Sequence, residues 1–197
     1  LEFFYYYWDI VEYIKILKEN STRMRELVAD LLTVSRIESA KFVSKKTFFS
    51  FGKIVQDLFL QFEPFVKASN VAVKFNNKEN ISQVWGDPSQ IRQAVENLLD
   101  NAVRYVRDKG SVEIILSQKR NHVLLEIKDN GVGIPETDKK HIFQKFFRSE
   151  NALRYQTEGS GLGLYIAKNF IEKSGGKIGF VSQEGKGSTF WVTLPIK

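Results

Sequence analysis

The sequence predicts an α+β protein: a two-layer α/β sandwich with a mixed sheet, preceded by one long amphipathic helix. Three observations carry this. From Asp9 to about Lys41 there is no Gly or Pro, and Ile10, Ile14, Leu17, Met24, Val28 and Leu31 recur at helical spacing. Beyond residue 46, strand-like and helix-like stretches interleave without a regular βαβ repeat. In the middle and at the end of that region, alternating apolar stretches separated by short polar connections read as antiparallel hairpins.

Taken in order, the first helix has a second apolar line through Leu27, Leu31, Val34 and Ile37. The stripe is wider than a two-stranded seam, which suits a helix in a bundle. At ~1.5 Å per residue it reaches ~45–50 Å, longer than a small domain is wide, so much of it must pack outside the globular part. Residues 42–46 read as a linker. "TFFSF" then reads as a brief strand, and Gly52 to Ala68 as a helix with Pro64 as a kink or an end. "VAVKF" (71–75) is a strand. Asp87 as N-cap and Pro88 at the first helical position open the helix of "DPSQIRQAVENLLDNAVRYV". "SVEIILS" and "HVLLEIKD" form a hairpin across "QKRN". Gly131 to Ser160 is polar and irregular apart from the helix-like "HIFQKFF". A final helix, Leu162 to Lys173, leads into the hairpin "GKIGFVSQEGKGSTFWVTLPI".

Composition excludes several classes. With 43% hydrophobic and 26% charged residues the chain sits near globular averages, neither disordered nor a membrane bundle. The absence of cysteine removes disulfides and thiolate metal sites, and is compatible with a reducing compartment. The aromatic opening "LEFFYYYWDI" carries Glu2 and Asp9, so no uncharged run of ~18 residues exists to span a membrane. It also lacks the basic start of a signal peptide. The net charge of +6 is scattered in short runs such as Lys45-Lys46, which argues against nucleic acid as a partner.

Three stretches are poor choices for structure alone. In "NLLDNAVRY", Asn97 and Asn101 lie four apart on one helix face. A solvated face would tolerate both amides. Asn101, however, is flanked by Leu98-Leu99 and Ala102-Val103, where an unpartnered amide costs about 1–3 kcal/mol. A metal-bound phosphate is one candidate partner, since Mg²⁺ takes hard oxygen ligands and keeps several waters. In "DNGVGIP", turn chemistry alone accounts for Asp-Asn-Gly. The second glycine, Gly133, leaves room for a flat ligand beside Asp129, whose carboxylate can accept from an amino group. In "GSGLGL", Gly159, Gly161 and Gly163 each cost a helix about 0.8–1.0 kcal/mol against Ala unless something approaches the backbone. Helix N-termini bind phosphate through free N–H groups. The stretch does not follow a strand, which disfavours a dinucleotide fingerprint, and no P-loop string exists.

In type and order, these stretches resemble the nucleotide-binding boxes of the histidine-kinase ATPase family, whose ATP-binding fold is shared with DNA gyrase, Hsp90-type chaperones and mismatch-repair ATPases. "NLLDNAVRY" looks like the N box, "DNGVGIP" the first glycine box, "IFQKFFR" the F box, "GSGLGL" the second glycine box and "GKGSTF" the last. The resemblance covers about residues 47–197. The F box, with "LLTVSRIESAKF" before it, points to sensor histidine kinases and to the end of the second helix of their dimerisation and phosphotransfer domain.

The resemblance implies ATP and Mg²⁺ as cofactors. It implies that Asn101 ligates the metal, that Asp129 receives the adenine amino group, that Arg104 approaches the phosphates and that Tyr105 flanks the nucleotide. Gly131 and Gly133 would line the base pocket; Gly161, Leu162 and Gly163, opened by Gly159, would offer N–H groups to phosphates. Thr189 would lie near the base and Arg148 would reach the terminal phosphate from a lid. Asn97 stands where ATP-hydrolysing relatives carry a glutamate. An amide is a feeble base, so attack by water should be slow and the γ-phosphoryl kept for a histidine. Glu96 is ~100° around the helix and should not substitute.

One departure matters. The family's phosphoacceptor segment, resembling His-Glu-Leu-Arg-Thr-Pro-Leu, is absent, and the only histidines are His122 and His141. Neither is expected on a long helix. The reading is therefore of a fragment: residues 1–41 as the second bundle helix of a partial dimerisation domain, and 47–197 as the catalytic ATP-binding domain, cytoplasmic even if the parent is membrane-anchored. Its implied partners are ATP, the phosphoacceptor helix and a response regulator receiver domain. An ATP-gated or degenerate module without phosphotransfer is the competing reading. The aromatic opening would fall at the turn before the second bundle helix or at its start. Without the first helix its rings would seek partners, so self-association through residues 1–41 is expected. Light scattering at rising concentration should give a mass above the monomer's; a strictly monomeric species would count against it.

Overall fold

The computed structural model describes residues 2–39, 44–68, 71–77, 81–107, 109–156 and 159–196, with the backbone alone for 2–9 and 65–68. Two compact units divide it, Leu1–Phe42 and Val43–Lys197. The first is a single helix, α1 (Glu2–Glu38). It begins seven residues earlier than the spacing of its aliphatic residues indicates, taking the aromatic opening into the helix, and ends before Lys41. The expected packing of those aromatic rings lies outside the described side chains. Of the expected linker, residues 42 and 43 lie outside the described residues. Among the described residues, no helix is long and apolar enough to cross a membrane.

The second unit runs β1 (Thr47–Ser50), α2 (Phe51–Ala68), β2 (Ala72–Asn77), β3 (Gln83–Gly86), α3 (Pro88–Arg104), β4 (Ser111–Lys119), β5 (His122–Asp129), α4 (Glu150–Tyr155), α5 (Gly163–Lys173), β6 (Lys177–Gln183) and β7 (Gly187–Pro195). Five strands form a sheet in the order β2-β4-β5-β7-β6, with β2 parallel to β4 and the remaining neighbours antiparallel. The sheet is mixed and the class α+β, as the sequence predicts. A small separate sheet pairs β1 with β3. Strand β3, only four residues long, was not foreseen; nor was α4 inside the irregular stretch. The turn between β4 and β5 is tighter than expected, since Lys119 pairs with His122 and leaves Arg120-Asn121 as the loop. Helix α2 continues through Pro64 rather than ending there.

Alternation sets the sheet's two faces. Val112, Ile114 and Leu116 of β4, Val123, Leu125 and Ile127 of β5, and Phe190, Val192 and Leu194 of β7 are all buried. Successive strand residues point to opposite faces, so this period of two puts one face under a helical layer. The helices answer with their own period. Ile91, Ala94, Val95, Leu98, Leu99 and Ala102 of α3 are buried, as are Ile166, Ala167, Phe170 and Ile171 of α5. Each fully buried Ile, Leu or Phe contributes about 1.5–3 kcal/mol, several times what one helix cap supplies. Burial holds the layers together, while caps and loops decide where their ends lie.

Helix α3 starts where the sequence says it should. Asp87, in extended conformation, takes the N–H groups of Ser89 and Gln90 on Oδ1 at 3.0 and 3.3 Å. Its other oxygen accepts from Lys45 N at 2.7 Å and from Gln90 Nε2 at 2.9 Å. A single carboxylate thus caps the helix and fastens the chain ahead of β1. Replacing Asp87 with Ala should lower stability by about 2 kcal/mol, more than the ~1 kcal/mol of an ordinary cap, because buried donors lose their acceptor. Urea unfolding monitored by circular dichroism measures this; a loss under 0.5 kcal/mol would contradict the arrangement.

Candidate functional site

At the end of β5 the strand's alternation does something unusual. Asp129 is two residues beyond Ile127, and therefore turns its carboxylate into the helix-facing layer, where it is buried. Its Oδ1 accepts from Gly131 N at 2.8 Å and from Ser188 N at 3.2 Å. No hydrogen bond from a described residue reaches Oδ2, which keeps some exposure to solvent. Burial pushes the carboxyl's pKa above its ordinary value of 3.8, against the opposing pull of the two backbone N–H groups. The result is an acceptor with one oxygen fixed and the other presented.

Backbone lacing holds this carboxylate in place. Val132 N donates to Tyr105 O at the end of α3 (3.1 Å), and Gly185 N donates to Val132 O (2.7 Å). Ile134 N donates to Ser182 Oγ, which itself donates to Gly187 O and lies 2.9 Å from Ser188 Oγ. The glycines of this loop have a structural reason. A Cβ on Gly131 would lie 2.2 Å from Tyr105 O, and one on Gly133, at φ +65°, 2.0 Å from Gln183 O. The position that a Cβ would take at these two glycines is filled by the chain's own backbone.

Helix α3 presents the amide pair. Asn97 donates from Nδ2 to Gly163 O at 3.0 Å, tying α3 to the first residue of α5. A glutamate there has no proton to give that carbonyl at neutral pH. Asn101, half-buried one turn on, takes part through its side chain in none of the hydrogen bonds among the described residues. Arg104 folds back on Asp100 in a two-pronged ion pair, Nε to Oδ2 and Nη2 to Oδ1, both 3.0 Å. Tyr105 follows as the C-cap residue of α3.

The start of α5 contrasts with that of α3. Its N-cap residue is Leu162, which makes no side-chain cap bond. The first-turn N–H groups of a helix have no intrahelical partner, and without a cap they are available to an anion. Leu162 N itself donates to Ser160 Oγ at 3.2 Å, so among the expected N–H groups it is the one already engaged. Gly161, at φ +69°, is pressed against Phe146: an added Cβ would lie 2.8 Å from the Phe146 carbonyl carbon, and Phe146 N donates to Gly161 O at 3.0 Å. Phe146 is itself left-handed, φ +63°. The F-box and glycine-box stretches are thus matched backbone to backbone. Gly159, exposed at φ +132°, sits over the guanidinium of Arg148, whose Nη2 donates to Gln156 O across α4.

Thr189 is not brought to Asp129. Phe190, Val192 and Leu194 point inward, so Ser188 does too, while Thr189 pairs with Lys128 on the other face. Ser188, two residues after Lys186, is the residue that reaches Asp129, and the sequence reading missed it. Counting the β7 alternation backwards from Leu194 would have found it. His122 opens β5, and His141 lies in a run of turns with its ring 5.4 Å from that of Phe147, so neither stands on a helix.

With this geometry established, residues 86–197 match the family model described as histidine kinase-, DNA gyrase B-, and HSP90-like ATPase. The chain belongs to this family. Among its relatives, the circadian input-output histidine kinase CikA of Synechococcus elongatus is 31% identical over 188 residues, covering 93% of this chain and 25% of CikA. Histidine kinase ThkA, solved in complex with response regulator protein TrrA, superposes with a TM-score of 0.75 at 25% identity, over 94% of this chain and 51% of that one. Full-length ShkA, solved with AMPPNP, gives 0.79 at 23% identity, over 93% and 38%, and so shares the fold. The chain spans about a fifth to two fifths of the length of the first curated relatives. The matched segment is the catalytic ATP-binding domain of the sensor histidine kinases.

Backbone packing at the glycine loop makes a direct test. Gly185 is also left-handed, φ +77°, but an added Cβ would meet nothing within 4 Å. Gly185→Ala should therefore cost about 1 kcal/mol of backbone strain, and Gly133→Ala about 3 kcal/mol because steric overlap is added. Equal midpoints for the two variants in urea unfolding would refute the contact with Gln183.

Proposed function

We propose that this chain binds ATP with Mg²⁺ and transfers the γ-phosphoryl group to a histidine on a phosphoacceptor helix, for onward passage to a response regulator receiver domain. The observation that carries this reading is Asp129: a buried carboxylate with Oδ1 held by two backbone N–H groups and Oδ2 open. An adenine amino group supplies the donor that oxygen lacks. The uncapped N-terminus of α5 supports the polyphosphate end of the reading, through the N–H groups of Gly161 and Gly163. Asn101, whose amide oxygen has no partner among the described residues, would complete a magnesium shell made otherwise of phosphate oxygens and water.

The remaining residues take roles from their contacts. Arg104 would exchange its bond to Asp100 for the phosphates, and Tyr105 would flank the nucleotide beside the loop its carbonyl supports. Asn97 acts as a positioning residue, since its amide proton holds Gly163, and it offers no carboxylate to activate water. Arg148 would reach the terminal phosphate only after leaving Gln156 O. Bound Mg²⁺ neutralises charge as the phosphoryl group moves; the chain supplies position. The imidazole nitrogen attacks phosphorus in line, the bond to the β-phosphate oxygen breaks, and the imidazole N–H proton is released with ADP. Residues 1–41 are the part through which we expect the kinase to self-associate, consistent with the exposed Ile14, Leu17, Met24, Val28 and Leu31.

Asp129→Asn separates recognition from stability. The raised pKa means that the folded state holds the proton more tightly than the unfolded one. That contribution to stability is complete below about pH 3.8 and is lost as pH rises through the folded value. At pH 7 the buried charge is a cost, so Asp129→Asn should be at least as stable as the parent while binding adenine nucleotides about 10- to 100-fold more weakly. Asn101→Ala should weaken MgATP about tenfold and leave metal-free ATP unchanged. Calorimetric titration reads both, and unchanged affinity in both variants would sink the site. For the reaction, the chain is mixed with MgATP and a separate polypeptide bearing the family's histidine segment. Acid-labile, base-stable phosphate on that polypeptide supports the kinase; nucleotide binding without transfer supports an ATP-gated module.

A further inference from the structure

On the far side of α3 from the amide pair lies a cavity of about 160 Å³. It is open on one side, and its described lining includes Phe59 and Phe62 of α2, Val73 of β2, Leu99 and Val103 of α3, and Ile114 of β4. Leu99 and Val103 are about 200° around the helix from Asn97 and Asn101 respectively, so the cavity and the nucleotide face share a helix but no wall. The sequence explains the space. Edge strand β2 and the end of α3 place β-branched valines at 73 and 103, whose side chains stop short of the aromatic rings on α2. Glu63, the charged residue on the wall, is already partnered within the fold.

We propose that this cavity is a binding site for a compact, uncharged, apolar molecule, of the size of one substituted aromatic ring. Three properties lead there. Its described walls are mostly apolar, so water there finds few partners for its hydrogen bonds. Its volume suffices for one ring: closed apolar cavities of about 150 Å³ take up benzene or xenon. Its aromatic walls on one side and aliphatic walls on the other suit edge and face contacts with a ring. A charged or strongly polar ligand is excluded from the described part of the wall, where Glu63 is the charged residue and is already partnered. Adenine, with its ring nitrogens and amino group, is excluded on the same ground, which sets this site apart from that at Asp129.

Toluene is the probe. Methyl-resolved NMR of the whole chain, titrated with toluene, should show saturable shifts centred on Val73, Leu99, Val103 and Ile114, with one molecule bound. At ten times its dissociation constant it should raise the melting temperature by about 3–6 °C. Val73→Phe, which fills the space, should weaken toluene at least tenfold; Val103→Leu, a smaller change, gives a second filled variant should the first not fold. Retained ATP affinity in these variants shows that the nucleotide site is untouched. The proposal is overturned if no saturable shift occurs up to the solubility of toluene, if the shifts centre on the methyls of Val132 and Ile134 beside Asp129, or if a folded, filled variant binds toluene as well as the parent.

Discussion

One carboxylate, buried by the phase of its strand, organises the face of this domain. Asp129 is inward because Val123, Leu125 and Ile127 are inward, and a strand cannot turn one side chain without turning all of them. That placement costs solvation, seen in the raised pKa. The cost is contained because Gly131, in the loop after β5, and Ser188, at the start of β7, both donate to the same oxygen. Both segments must therefore approach the end of β5 closely. The rest of the site follows from how a chain brings two backbones that near.

Glycine is the answer at the points of closest approach, for a reason beside the one suggested by the sequence. Glycine-rich loops invite the thought of a ligand lying on bare backbone. Here the bare backbone of Gly131 faces Tyr105 O, that of Gly133 faces Gln183 O, and that of Gly161 faces Phe146. The pattern is one of chain against chain, and the groups proposed to meet the nucleotide are what this packing leaves over: one oxygen of Asp129, the amide of Asn101 and the first N–H groups of α5. Rigid support behind presented polar groups is what a preorganised site requires.

Much of this was legible in the residues. Asp87-Pro88 declared the start of α3 because capping is local chemistry, and the order of the boxes pointed to the family because each is contiguous. What failed to show was non-local or short. Strand β3 has four residues, too few for an alternation to be counted, and exists through its pairing with β1. Helix α4 is a six-residue turn capped by Ser149 in a polar stretch. Ser188 was passed over for Thr189 although the alternation of Phe190, Val192 and Leu194 contained the answer. The neighbours of Gly131 and Gly133 could not be read at all, since Tyr105 and Gln183 are far along the chain.

The two long helices of the face begin in opposite ways. Helix α3 is closed by Asp87, which satisfies its first donors from within the chain. Helix α5 begins at Leu162, a residue that closes nothing. An aspartate or serine at that position would make a better helix by the ordinary rules of capping. On the proposed function it would also set an oxygen where a phosphate oxygen would lie, and the protein would then carry its own competitor. On that proposal the imperfect start of α5 is kept open at the expense of local stability, and a tighter fold and an occupied site pull on residue 162 in opposite directions.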